Sequence, residues 1–275
     1  MVSRSPKVIP GFGLTLGVTL AYLSLVVLLP LAMIPATALG LSAARAWAIV
    51  GDPRTLHALG LSLGAALAAA AANAALGTLL AWVLVRYDFP GRRLLDALID
   101  LPFALPTAVA GISLAALYAP NGWLGRLLAP LGVKVAYTPL GIVVALVFVG
   151  LPFVVRAVEP VLEALDAEVE EAAASLGARW GQSFRRVVLP LIAPAVLAGF
   201  AMALARGIGE YGSVIFIAGN LPMASEIAPL LIAIRLEEHD DAAAAVIALA
   251  MLAIAFLLLL ALNLLQAWNR RRIGT

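Results

Sequence analysis

The sequence predicts an all-α, polytopic membrane protein of about six transmembrane helices, and three observations carry the prediction. Of 275 residues, 63% are apolar and only 12% charged, well below the roughly 25% charge of soluble domains. Mean hydropathy is +1.04. Uncharged runs recur along the chain at the length of about 20 residues that a helix needs to cross the hydrocarbon of a bilayer. In lipid every backbone N–H and C=O must be paired within its own segment. Runs this long are therefore helices, even where valine is frequent or proline intervenes.

The first run has no charged residue from Val8 to Ala44, far more than the roughly 7 to 15 residues of a signal peptide's apolar region. Arg4 and Lys7 precede it and Ala36-Thr37-Ala38 resembles a peptidase site, yet its length reads as a retained span near 12–35. Further spans are expected near 56–85, 97–118, 138–158, 189–215 and 242–267. Pro102, Pro106 and Pro152 mark kinks or helix starts. In the second span Gly60, Gly64, Ala68 and Ala72 recur every fourth residue, which predicts tight helix packing along that face. The segment from Ile217 to Asp241 is too broken to span. Its apolar stretch Ile227 to Leu236 reads as a short interfacial or re-entrant element. An odd number of spans, with one run lying in the interface or re-entering, is the alternative.

Basic residues set the orientation. With the amino terminus inside, Arg4, Lys7, Arg86, Arg92, Arg93, Arg156, Arg179, Arg185, Arg186, Arg270, Arg271 and Arg272 lie in cytoplasmic segments. Arg45, Arg54, Arg126, Lys134, Arg206 and Arg235 lie outside or near the outer face. Both termini are then cytoplasmic. The basic pI of about 9.2 is explained by this flanking charge rather than by nucleic acid. With no cysteine there is no disulfide framework and no thiolate metal site.

The longest charged stretch joins the fourth and fifth spans: Glu159, Glu163, Asp166, Glu168, Glu170 and Glu171, then Arg179, Arg185 and Arg186. Pro160 suits a first helical turn, the acids suit a helix amino terminus, and Gly177 suits a left-handed helix end. A second helical piece is expected to run to Leu189, before Pro190. The loop reads as a helix-turn-helix in which Ala172, Ala173 and Ala174 offer a flat surface. A partner docks there or, equally on residues alone, it is a solvated amphipathic connector.

Several functions are excluded. A phosphate-binding P-loop needs lysine directly after glycine, and the only lysines, Lys7 and Lys134, follow Pro6 and Val133. Any ATP hydrolysis therefore belongs to another chain, and no cofactor is expected in this one. There is no His-Glu-x-x-His and no Gly-x-Ser-x-Gly, and His57 and His239 fall in different expected outer loops. The chain reads as a non-enzyme. A proton-coupled carrier would need titratable groups buried mid-span, for which only Asp100 and Glu210 are candidates. Arg206 and Glu210, four apart in the fifth expected span, share a helix face where lipid exposure of charge is costly. They form an internal ion pair that makes the helix insertable, or they line a translocation path. Gly207, Gly209 and Gly212 around them permit close packing or bending.

The segment EAAASLGARWGQSFRRVVLP, Glu171 to Pro190, resembles the coupling-helix signature of ABC importer permeases: Glu-Ala-Ala, three residues, Gly, nine residues, Ile, one residue, Leu-Pro. Only Val187 departs, where isoleucine is usual. The resemblance extends to IPGFGLTLGVTLAYLSLVVLLPL from Ile9, RYDFPGRRLLDALIDLPFALPTAVAG from Arg86 and GEYGSVIFIAGNLPMASEIAPLLI from Gly209. These resemble the T-type permease of the sulfate/thiosulfate importer, in the sulfate/molybdate permease family. Tyr211 and the following Ile-Phe-Ile-Ala-Gly-Asn favour the T-type over the molybdate and W-type relatives, which usually read Gly-Glu-Phe-Gly.

The resemblance implies a type I ABC importer permease fold in a bacterial inner membrane. It implies docking of Glu171, Ala172, Ala173, Gly177, Val187, Leu189 and Pro190 on an ABC ATPase, and a place near the closed end of the path for Arg206, Glu210 and Tyr211. The implied partners are a homologous W-type permease, two ATPase copies that use ATP and Mg, and an extracytoplasmic sulfate/thiosulfate-binding protein. Residues 1–54 are then a tail, first span and outer loop; 55–265 are the importer core with its coupling helix near 160–188; 266–275 are a basic tail. A molybdate or tungstate permease homodimer and a proton-coupled anion carrier are the alternatives.

Overall fold

The computed structural model describes residues 12–165 and 167–273, and among them the chain is helical with no strand. Arg4, Lys7 and Asp166 lie outside the described residues, as do the side chains of Glu168, Glu170, Arg270, Arg271 and Arg272. Among the described residues five helices are long and apolar enough to cross a membrane. Helix α1 is Phe12–Leu39, and a short α2, Ala43–Val50, follows, its first turn capped by the Ser42 hydroxyl accepting the Arg45 N–H at 3.3 Å. Helix α3, Pro53–Arg86, starts where Asp52 accepts the Thr55 N–H and Pro53 occupies the first turn, a pairing that suits proline because its missing N–H would be unpaired there anyway.

The expected third span is not one helix. It is broken into α4, Arg92–Ile99, α5, Leu101–Ala104, and α6, Thr107–Tyr118. Pro102 opens α5 and Pro106 precedes α6, so both prolines act as helix starts. After α7, Trp123–Leu128, comes α8, Pro139–Glu163. Helix α9 is Ala167–Ser175, and α10, Gly181–Ile208, is the next long helix. The chain closes with α11, Val214–Ile217, α12, Ala228–Glu237, and α13, Asp241–Ile273.

Helices α3, α8 and α10 form the centre by packing on one another. Their seams are made mostly of small and β-branched residues: Ala66, Ala69 and Ala70 of α3, Ala145, Val154 and Val155 of α8, and Ala203 of α10, with Leu204 beside it. Close approach is the driving term in lipid, where apolar burial alone gives little. A Cβ on Gly77 would stand 2.8 Å from Val154 Cβ, and one on Gly199 2.7 Å from Val154 Cα. Helix α1 stands apart, packed on α13 and almost wholly exposed, with Ala38 its buried residue.

Within this chain α3 packs through Ala65, Ala66, Ala69 and Ala70, while Gly60, Gly64 and Ala68 are exposed, with nothing within 4 Å of a Cβ on Gly60 or Gly64. The expectations at Pro160, at Pro190 and for the end of the fifth span need correction. Pro160 does not begin a helix, because α8 continues through it to Glu163.

Pro190 does not end one either. A π-helical turn at Phe184–Val188 shifts the bonding so that the Leu189 N–H reaches the Phe184 carbonyl, and the widened turn accommodates a ring that would otherwise strike the preceding carbonyl. The same device recurs in α1, where the π turn Ser24–Leu28 precedes Leu29-Pro30. Finally, the fifth span ends at Ile208 rather than near 215, and Gly209 is its cap. The apolar stretch read as interfacial or re-entrant is helix α12: Ala228 and Leu231 are fully buried, and the helix packs on α3 and α13.

Candidate functional site

Two elements carry the residues singled out by the sequence, at different heights of the core. The first is the loop between α8 and α10. Glu171 and Ala172 are exposed on α9 and Ala173 is half-buried. Gly177 follows the helix end with φ +82°, and the Ala178 N–H returns to the Ala173 carbonyl at 3.0 Å, the long back-bond of a left-handed helix end. Val187 is half-buried in the π turn, while Leu189 and Pro190 are exposed at the root of α10. Because α9 lies against the first turns of the α10 helix, the two halves of the signature are neighbours. One residue was missed in the sequence: Leu176 is 89% exposed at the tip, an apolar side chain with no cover in this chain.

The loop rests on a layer built from distant parts of the chain. Phe184 meets Trp82 edge-on at 5.3 Å, the Arg86 guanidinium lies 5.6 Å from the Trp82 ring, and Arg86 Nη2 donates to the Leu165 carbonyl at 3.2 Å. Beside it, Arg156 serves three carboxylates. Its Nε and Nη2 donate to Asp100 at 2.9 and 2.6 Å, its Nη1 donates to Glu159 at 2.6 Å, and Asp96 lies 2.8 Å from the same nitrogen. The broken α4–α5 segment is thereby fastened to α8. Asp100, a candidate for mid-span proton chemistry in the sequence, is one arm of this fork.

The second element follows α10. Arg206 lies in its last turn and pairs with Glu210, although Glu210 stands beyond the helix end and does not share its face. Glu210 is 2% exposed. Its Oε1 accepts the Ser213 N–H at 2.8 Å and the Ser213 hydroxyl at 2.9 Å. Two glycines bring this turn against α6: a Cβ on Gly212 would strike Thr107, and one on Gly111 would strike the Ser213 backbone, whose Cα is 2.9 Å away. Tyr211 is partly exposed.

The chain then returns through Ser225 and Glu226 to α12. There Ser62 of α3 accepts the Ala228 N–H at 2.8 Å, and Arg54 forks onto Glu226, Nε to Oε2 at 2.8 Å and Nη2 to Oε1 at 2.7 Å. Glu226 is 1% exposed. Arg206 lies level with the middle turns of α3. The neighbouring Gly207 packs on Ala66, roughly 20 Å along α3 from Pro53 at 1.5 Å per residue.

A membrane-depth core, an exposed helical loop at one end and a buried, ion-paired turn within the core describe a translocation subunit better than an enzyme. Among the described residues no group of three His, Cys, Asp or Glu side chains is arranged to hold a metal. Residues 73–275 match the family model of the binding-protein-dependent transport system inner membrane component. The chain belongs to this family. Members are permease subunits, without catalysis of their own.

The sulfate transport system permease protein CysT of Salmonella typhimurium is 50% identical over 271 residues, covering 98% of both chains. Its counterpart in Escherichia coli is 49% identical over the same share. The fold matches that of a solved bacterial ABC transporter involved in import of the acidic polysaccharide alginate, with a TM-score of 0.74, 14% identity and 96% of each chain covered. A second alginate transporter structure, in complex with its pentasaccharide-bound periplasmic protein, matches with a TM-score of 0.73 at 15% identity. The chain thus has the fold of an ABC importer permease and is a multi-pass membrane protein.

Proposed function

We propose that this chain is the membrane-spanning T-type subunit of an ATP-driven sulfate/thiosulfate importer. The observation that carries the reading is identity of half the residues, over 98% of both chains, with a sulfate transport system permease. The matched length includes both the exposed loop and the buried turn, which supports reading the first as the coupling segment and the second as part of the path. A homologous W-type permease supplies the other half of the pore, and an extracytoplasmic binding protein delivers the anion. Two ATPase copies dock on the side of α9, where ATP and Mg are used.

In this reading both termini are cytoplasmic, residues 55–265 form the importer core, and Glu171, Ala172, Ala173, Gly177, Val187, Leu189 and Pro190 belong to the docking segment. The exposed Leu176 supplies its apolar contact. Reconstitution of the chain with these partners in liposomes tests the proposal. Sulfate uptake that requires ATP, the ATPase and the binding protein is expected. Uptake by this chain alone under a pH gradient would defeat it, and formation of a functional homodimer selective for molybdate would replace it with the molybdate reading.

A further inference from the structure

The ion pair between Arg206 and Glu210 is lopsided. Glu210 is 2% exposed with Oε1 holding both Ser213 donors, whereas the Arg206 side chain is 35% exposed. A guanidinium has five N–H donors in a planar fork, and among the described residues Glu210 is the sole partner recorded for Arg206. The side chain is thus partly open at the subunit's surface, and its remaining donors have no partner among the described residues. The height matters: at the level of Ala66 of α3, a partly open charge cannot rest against hydrocarbon without large cost, and such residues face protein or a water-filled cavity.

The inner side of the pair is closed. The cavity that Glu210 shares with Ser62, Ile142 and Leu146 measures about 10 Å³, room for about one water and too small for an oxyanion. Any anion that meets this pair meets it from the open side, along the strip of α10 that holds the exposed Met202 and the partly exposed Arg206.

Resting on the functional reading above, we propose that Arg206 contacts the sulfate dianion in transit through its free donors, with Glu210 as the residue that positions it. A planar fork matches two oxygens of a tetrahedral oxyanion. Pairing with Glu210 leaves the local charge near zero, so the anion is met by hydrogen bonds rather than held by an uncompensated cation, as a path must allow departure as well as entry. Glu210 itself offers the substrate nothing, since its oxygens point inward and its charge repels a dianion.

The test uses the complete complex, with uptake and ATP hydrolysis measured separately. Arg206→Gln should lower sulfate imported per ATP hydrolysed by roughly tenfold or more, the scale of one lost charge-assisted hydrogen bond, while hydrolysis stimulated by loaded binding protein persists. Arg206→Lys, which keeps charge and loses the fork, should fall between. The double variant Arg206→Gln with Glu210→Gln removes both charges at nearly constant shape and guards against misassembly. If the double variant imports sulfate at the parent rate, the pair only makes the helix insertable and the proposal is overturned.

A second readout leaves the pair intact. The chain has no cysteine, so Met202→Cys, 45% exposed one turn before Arg206, can be labelled alone. Modification by a water-soluble anionic thiol reagent, slowed by sulfate, is expected. Labelling only by a lipid-soluble reagent would place the strip in hydrocarbon and overturn the proposal. A parent complex that imports no sulfate would instead defeat the functional reading, so the two failures are distinguishable.

Discussion

The turn from Gly209 to Ala228 and the loop from Ala167 to Val188 both interrupt the run of long helices, yet the polar residues of the first are buried and bonded while most of the described side chains of the second stand in the open. In the first, Glu210, Ser213, Ser225, Glu226 and Ala228 are almost wholly buried, and hydrogen bonds reach α3 across more than 160 residues of sequence. In the second, Glu171, Ala172, Leu176, Gly177, Arg185 and Arg186 are exposed. The difference teaches where each element finds its partners. The buried turn is completed within the chain and holds a shape, whereas the exposed loop has little cover within the chain and is the surface on which the proposed docking would take place.

The largest effect should come from spoiling the closest backbone approach in the buried turn. Gly111→Val places a branched side chain against the Ser213 backbone, where no side-chain rotation can relieve the overlap. Stability should fall by about 3 kcal/mol, at the upper part of the usual range for overpacking. Thermal unfolding in detergent measures it, and a variant as stable as the parent would mean that α6 and this turn separate readily.

Next in size is Arg54→Ala. It leaves the Glu226 carboxylate buried without its two hydrogen bonds, at a cost of about 2 kcal/mol. Glu226→Gln in the same background should recover part of the loss, because a neutral amide tolerates burial better than an unpaired charge. Equal stability of the single and double variants would show that water reaches Glu226 once Arg54 is gone.

Much of this architecture was legible in the sequence, and the failures share a cause. Long uncharged runs located five spans because hydropathy reports the solvent of a segment. It does not report backbone continuity, so the run across Asp100 and Pro106 reads as one span although it is three helices. Proline at 190 reads as a stop, because the π turn that accommodates it leaves no compositional trace. Gly177 was legible since its left-handed turn is a local requirement. The Arg156 fork and the Arg54–Glu226 clamp were not, since their partners are joined only by the fold.

A smaller effect on the protein itself is expected at the exposed loop. With φ +82° and nothing within 4 Å of a Cβ, Gly177→Val meets backbone strain of about 1–2 kcal/mol and no steric neighbour. The membrane core should unfold at the parent temperature, while co-purification of the ATPase falls sharply. Retained ATPase binding at parent levels would make this loop a solvated connector. Glu171→Ala should be milder still, because an exposed carboxylate contributes little through ion pairing.

The contrast between the two elements is tested most directly by hydrogen exchange on the permease pair with and without its ATPase. Addition of the ATPase should slow exchange across residues 167–188, while residues 209–228, already bonded within the chain, remain equally protected in both states. Unchanged exchange across 167–188 in a complex that contains the ATPase would contradict the account, since the open loop would then have no docked partner.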